Sequence, residues 1–184
     1  MGAIHTPTEY RPFPNVQWRN FAQQCLELRL LLRVLHIPSG ARVLEVGCGR
    51  GVALQVIAST RRPAYLAGLD IDARALTVAR QALAQQSVDA DLRCADVRSL
   101  PFDASSFDVV FDFGTCYHIA RVDDALREIV RVLRPGGLLI HETPMAQLLS
   151  HPVRATRTEL PWSAVPELVP YQHSVLWASR MKRE

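Results

Sequence analysis

The sequence predicts an α/β domain with a doubly wound, mainly parallel sheet and helices on both faces, and three observations lead there. Short apolar runs alternate with helically spaced apolar stripes from residue 42 to residue 142, the order in which strands and covering helices succeed one another in such sheets. Most runs are apolar at successive positions rather than at every second one, as strands buried on two sides are. The first run ends in three closely spaced glycines, in "VLEVGCGRGVAL" (43–54), and passes at once into a helical pattern. Ligands in such sheets bind beyond the carboxyl ends of the strands, where the functional residues are therefore expected.

Each element follows from its local pattern. Residues 16–36 place Trp18, Phe21, Cys25, Leu28, Leu32 and Leu35 at helical spacing, with Asn15 as N-cap and Pro38 beyond the end, which predicts an amphipathic helix ahead of the first strand. This N-terminal region, residues 1–40, either packs on the sheet or serves as a lid or a membrane-surface helix. "RVLEVG" (42–47) is the first strand, and 51–59 is an apolar helix ending near "STRRP". "AYLAGLD" (64–70) is the second strand; Asp72 caps a helix whose Ala75, Leu76, Ala79, Ala82 and Leu83 form one stripe. "ADLRCAD" (90–96) is the third strand, with Cys94 as a core thiol, and "VRSLPFDASS" is a loop before the fourth strand, "FDVVFDFG" (107–114). A helix from Asp123 buries Ala125, Leu126, Ile129, Val130 and Leu133 and stops at "RPGG", where Gly136 or Gly137 takes the left-handed conformation. Its Arg127, Arg131 and Arg134 read as a solvated face. "GLLIHE" (137–142) is the fifth strand. Beyond it the chain is rich in proline (Pro144, Pro152, Pro161, Pro166, Pro170) until "HSVLWASRMK" alternates like a terminal strand, and Pro170 suits only an edge strand or a turn. Residues 41–184 are thus read as one domain with a shortened or irregular C-terminal region.

At 184 residues the chain is long enough for one core, and the apolar share of 48% is that of a globular domain. No apolar run approaches the roughly 18–20 residues of a membrane span, which predicts a protein without a transmembrane segment, peripheral contact with a membrane remaining open. The N-terminus lacks the basic-then-apolar order of a secretory signal, and the cysteines at 25, 48, 94 and 116 stand singly. These point to free thiols in the cytoplasm and to no metal site. The formal charge of +3, with basic residues densest at Arg61–Arg62 and in "RMKRE", is too dispersed for a nucleic-acid surface.

The glycine turn narrows the ligand. A phosphate-binding P-loop needs four residues between its glycines and then Gly-Lys-Ser/Thr, none of which follows here. A dinucleotide turn, G-x-G-x-x-G, wants its third glycine where Val52 stands, so that the fit is partial. Two acids favour something else: Glu45 lies in the strand just before the glycines, where it would repel a pyrophosphate, and Asp70 ends the second strand. A cationic ligand with a ribose suits both.

"VLEVGCGRG", "GLDID", "ADVRSLPFDASSFDVV" and "LREIVRVLRPGGLLIHE", in this order over about residues 41–142, resemble the class I, Rossmann-like S-adenosylmethionine-dependent methyltransferases, in the small-molecule branch that includes quinone-biosynthesis enzymes. The resemblance implies a seven-stranded methyltransferase sheet, with S-adenosylmethionine over the glycine turn and S-adenosylhomocysteine as product. It implies that Gly47, Gly49 and Gly51 bring backbone close to the methionine part of the cofactor and that Glu45 favours its cationic end. Asp70 accepts from the ribose hydroxyls, Ile71 packs on the adenine, Asp96 accepts from the adenine amino group, and the Val97 N–H faces the ring. Cys48, a small filler of the turn, and Phe113 border the same pocket.

In-line methyl transfer chiefly requires alignment of two reactants, and "DFGTCYHI" (112–119) is the candidate surface for it. His118 is the candidate base and Tyr117 the group that orients an acceptor or meets the sulfonium; each also has a plain structural role available, as a loop hydrogen bond or a pocket wall. Cys116 is a weaker nucleophile candidate, and His141 and Glu142 are second-rank acceptor contacts. The chain lacks the Asn/Asp/Ser-Pro-Pro-aromatic motif of amino-methylating nucleic-acid enzymes, the Pro-Cys of C5-methylation, the Asp-Asn pair of metal-dependent catechol types and the double-Glu loop of arginine methyltransferases. A small organic acceptor remains, with Trp162, Tyr171 and Trp177 as apolar walls and a homodimer as one way of completing the pocket. The alternatives are a non-catalytic binding or assembly subunit and an NAD(P)-binding oxidoreductase.

Overall fold

A computed structural model describes residues 28–35, 37–141, 160–170 and 178–183. Among them seven strands form one sheet: β1 (Arg42–Val46), β2 (Tyr65–Asp70), β3 (Asp91–Cys94), β4 (Phe107–Asp112), β5 (Leu133–His141), β6 (Leu168–Pro170) and β7 (Ala178–Met181). Their order is β3-β2-β1-β4-β5-β7-β6. The pairs from β3 to β5 are parallel, and β7 runs antiparallel to both β5 and β6. Strand order reverses between β1 and β4, whose ends pair Val46 with Asp112, so the crevice of a doubly wound sheet opens beyond these two residues.

Alternation along the strands feeds two cores. Val43, Val109 and Phe111 face α1 (Leu28–Val34), α2 (Val52–Arg61) and α3 (Ala73–Gln85), joining Leu28, Leu32, Leu54, Ile57, Leu76 and Leu83. Leu44, Val46, Leu69 and Val110 face α4 (Val122–Val132), joining Leu126, Ile129, Leu160 and Val165. Side chains this well buried contribute about 1.5–3 kcal/mol each, so the predicted helix stripes are what hold the layers. The described end of the N-terminal helix buries Leu28, Leu32 and Leu35 as its spacing predicts, and Leu31 as well, while Trp18, Phe21 and Cys25 lie outside the described residues. Asp72 caps α3 by accepting the Arg74 N–H at 2.8 Å.

Three expectations are corrected. Cys94 is no core thiol: β3 is the sheet edge, and its side chain is exposed, with Sγ 3.6 Å from the Ile71 carbonyl. The fifth strand begins at Leu133, not Gly137. Pro135 disfavours helical backbone at the residue before it, and Leu133 is already extended (φ −73°, ψ 139°). Gly136 does take the left-handed conformation (φ +79°), but within the strand's irregular start rather than as a helix cap; the β4–β5 register shifts between Phe107 and Val109. Finally, the arginine stripe is no uniformly solvated face: Arg127 pairs within its helix with Asp123 and Asp124, while the other two, though partly exposed, hold the loop and strand beside them. Arg131 donates to the Leu100 and Phe102 carbonyls, and Arg134 pairs with Asp108 at 2.8 Å. β6 is an edge strand, where its Pro170 is tolerated; Tyr171 and Trp177 lie outside the described residues.

Candidate active site

The chain leaves β1 through a turn built by hydrogen bonds to β2. The Cys48 N–H donates to the Leu69 carbonyl (2.9 Å) and the Gly51 N–H to the Cys48 carbonyl (2.8 Å). All three glycines have positive φ, +65°, +52° and +74° for Gly47, Gly49 and Gly51, a region where a β-carbon is disfavoured. Their surroundings divide them. A β-carbon on Gly47 would stand 1.7 Å from Thr115 Oγ1, and one on Gly51 would press on Ala79 at 3.1 Å, whereas one on Gly49 would meet nothing within 4 Å. Gly47 thus closes β1 against the segment after β4, Gly51 lets α2 approach α3, and Gly49 leaves open space.

Asp70, at the end of β2, reaches across to this turn. One carboxylate oxygen accepts the Gly49 N–H at 2.8 Å and the other the Asp72 N–H at 2.9 Å. The turn and the start of α3 are thereby held by one acid. Glu45 is buried at 4% exposure in β1. The Cys48 thiol between them is held above its ordinary range, chiefly by burial and then by the negative charges of Glu45 and Asp70. A turn walled by two carboxylates disfavours a pyrophosphate and favours a cation. Cys48 itself is buried and its sulfur fills the space beside Gly68, where a β-carbon would meet it at 2.9 Å.

Along the next strand ends, Ile71 presents an apolar side chain that is 51% exposed, and Val97 is buried. Asp96, half-buried between them, is gripped by Arg98: the guanidinium places Nε 3.0 and 3.1 Å from the two oxygens and a terminal nitrogen 2.7 Å from Oδ2. The loop behind them is stapled to α4, where Glu128 accepts the Leu100 N–H at 2.7 Å and pairs with Arg131.

After β4, Asp112 is wholly buried and accepts the Thr115 and Cys116 N–H groups at 2.8 and 3.3 Å. Burial pushes its carboxyl up, against the pull of those donors. Thr115 Oγ1 donates to the Val46 carbonyl at 3.2 Å and so sits over Gly47. Cys116 is buried, and burial with the charge of Asp112 raises its thiol well above the ordinary range; such a thiol stays protonated, which removes it as a nucleophile. Phe113 is buried and stacks on Phe111, ring centres 5.5 Å apart. Tyr117 and His118 follow on a turn in which the His118 N–H donates to the Thr115 carbonyl at 3.0 Å, and Tyr117 packs on the α4-side core. At the end of β5, His141 is buried with Trp162 over it at 4.9 Å between ring centres; Glu142 lies outside the described residues. Thr115, Asp112 and Arg98 were not singled out from the sequence. The D-x-R spacing of Asp96 and Arg98 is the signal that was available.

The family described as "Methyltransferase domain" matches residues 44–141, more than half of the chain. The chain belongs to this methyltransferase family. Among curated relatives, it is 36% identical over 102 residues to a fatty-acid O-methyltransferase of Mycolicibacterium smegmatis, covering 55% of this chain and 36% of that protein. It is 39% identical over 106 residues to phthiotriol/phenolphthiotriol dimycocerosates methyltransferase 1 of Mycobacterium ulcerans, covering 56% of this chain and 37% of that one. The chain thus spans little more than a third of the length of these relatives. The fold also matches the crystal structure of a putative S-adenosylmethionine-dependent methyltransferase from Methanococcus maripaludis, with a TM-score of 0.70 at 12% identity over 90% of each chain.

The cofactor of this methyltransferase type is S-adenosylmethionine, and the residues at the strand ends fit it. Gly49 offers a cradle that a β-carbon would fill, Ile71 an exposed apolar platform beside Asp70, and Glu45 and Asp70 the negative potential that a sulfonium and an ammonium need. Among the described residues no cluster of side chains could hold a metal ion, and no helix is long and apolar enough to cross a membrane.

Proposed function

We propose that the methyltransferase transfers the methyl group of S-adenosylmethionine to a small organic acceptor of lipid-like, apolar character. The observation that carries this reading is the turn around Gly49, open above its backbone and walled by Glu45 and Asp70. Bound there, the cofactor supplies a methyl group activated by its sulfonium charge. In this reading Asp70 accepts from the ribose hydroxyls, Ile71 packs against the adenine, Asp96 accepts from the adenine amino group beside the Val97 N–H, and Gly47, Cys48, Gly51 and Phe113 shape the pocket around them. The protein's contribution is alignment, which is worth about 7–11 kcal/mol in favourable cases.

On the acceptor side, Tyr117 orients the incoming nucleophile and His118 takes its proton where one must leave, an effect of about 10²–10⁴-fold. Trp162, 37% exposed above His141, is an apolar wall of the kind a lipid-like acceptor needs, and the relatives named for fatty-acid and dimycocerosate substrates support that class. The proposed setting is the cytoplasm, with a second copy of the chain completing the acceptor side.

Titration calorimetry with S-adenosylhomocysteine tests the cofactor half: saturable binding that Asp70→Ala abolishes is expected, and no binding by the wild-type chain would sink it. Incubation with labelled cofactor and free fatty acids or hydroxylated lipids tests the acceptor half. Label appearing only in polar metabolites would overturn it.

A further inference from the structure

Two segments flank the proposed ligand from different strands, 96–102 after β3 and 113–121 after β4, and one side chain joins them. Arg98 lays its guanidinium on the Asp96 carboxylate, while Asp96 Oδ1 also accepts the Arg98 backbone N–H at 2.9 Å. The remaining arm of the fork donates to the Ala120 carbonyl at 3.4 Å, just before α4. The Arg98 side chain is 12% exposed and that of Asp96 30%. Behind it, the Ser99 N–H closes a turn on the Asp96 carbonyl at 3.0 Å, and Glu128 and Arg131 fasten Leu100 and Phe102 to α4. The far side of the loop is therefore anchored independently, and Arg98 ties the end that carries Asp96 to the segment that carries Tyr117 and His118.

The terminal torsion of an aspartate is broad, so a carboxylate that must accept one hydrogen bond in a fixed direction needs its plane set by a neighbour. A planar fork does this where a lysine ammonium does not. We infer that Arg98 is a positioning residue that fixes the plane of the Asp96 carboxylate for the adenine amino group and couples occupation of that subsite to the order of residues 115–121. The inference rests on the reading of Asp96 as the adenine contact.

The test compares wild type, Arg98→Lys and Arg98→Gln for binding of S-adenosylhomocysteine and of S-inosylhomocysteine, in which a carbonyl replaces the adenine amino group. Wild type prefers the adenosyl ligand; both variants bind it about tenfold more weakly, the size expected for a lost bond to a charged group, and lose most of the preference. Hydrogen exchange of residues 115–121, slowed by the adenosyl ligand in wild type, is not slowed in Arg98→Gln. A loop with a merely structural arginine would lose stability without losing the adenosyl-over-inosyl ratio. Should Arg98→Gln unfold, as read by circular dichroism, Arg98→Lys carries the comparison. Wild-type binding with variants that keep affinity, preference and protection overturns this inference alone. Absence of wild-type binding removes the cofactor reading and this inference with it.

Discussion

Alanine at Gly47 and alanine at Gly49 should have opposite consequences, although the two glycines stand two residues apart in the same turn. Both have positive φ, so each substitution carries about 1–2 kcal/mol for a left-handed residue with a β-carbon. At Gly49 that is the whole cost, because a β-carbon there meets nothing within 4 Å. At Gly47 the new atom would stand 1.7 Å from Thr115 Oγ1 and 2.9 Å from its Cβ, so Thr115 must move. Such overpacking costs about 1–3 kcal/mol, and displacing Thr115 from the Val46 carbonyl adds about 1 kcal/mol. Gly47→Ala should therefore be less stable than Gly49→Ala by about 2–4 kcal/mol in urea unfolding, from the sum of those two terms. Thr115→Ala, which removes the nearest atom, should recover part of the loss in a double variant. Ligand affinity runs the other way: Gly49→Ala keeps its fold but loses S-adenosylhomocysteine binding, since its methyl group occupies the cradle. Equal midpoints for the two variants, or a Gly49→Ala protein that binds as wild type does, would refute this division of labour.

Other expectations follow from side chains already placed. Cys94 should react with a thiol-specific disulfide reagent in the native protein while Cys48 and Cys116 do not, as peptide mapping of the labelled protein would show. The cause is exposure at the sheet edge against burial that raises the other two thiols. Arg131→Ala should destabilise the fold by about 1–3 kcal/mol, because the Leu100 and Phe102 carbonyls and Glu128 lose a charged donor; Arg127→Ala, at an exposed pair, should stay within about 0.5 kcal/mol in the same denaturant titration. Glu128 should contribute to acid sensitivity. Arg131 holds its carboxyl below the ordinary 4.5, so its contribution to stability is present above that value and is lost as pH falls through the lower folded value. Glu128→Gln should flatten this part of the stability–pH curve, and an unchanged acid limb would count against the pairing.

The alternation of strands and helices, the helix stripes, the Asp72 cap and the edge character of Pro170 were legible because each follows from local spacing. Asp70 was legible as an acid at a strand end, though not as the residue that grips Gly49. The glycines show where local reading stops: the sequence marks three positions for positive φ, but the direction in which each lacks a side chain depends on Thr115 and Ala79, which reach the turn through tertiary contacts. Cys94 was misplaced because a short apolar run looks alike in a central strand and at an edge. Arg131 was read as solvated because only the fold brings residues 100–102 beneath it. Arg98 had a signal, its spacing from Asp96, but nothing in the sequence indicated that Ala120 would lie within reach.

The closure of Thr115 over Gly47 also bears on how the protein comes into being. The residues up to Asp70 contain the glycines and both acids of the turn, yet the hydroxyl that seals this turn is supplied only after β4 has been added beside β1. On the ribosome, a nascent chain ending before β4 would carry the glycine turn without the Thr115 hydrogen bond that closes Gly47 against it. Packing of this turn should then be complete only once residues through about Cys116 have emerged and β4 has paired with β1.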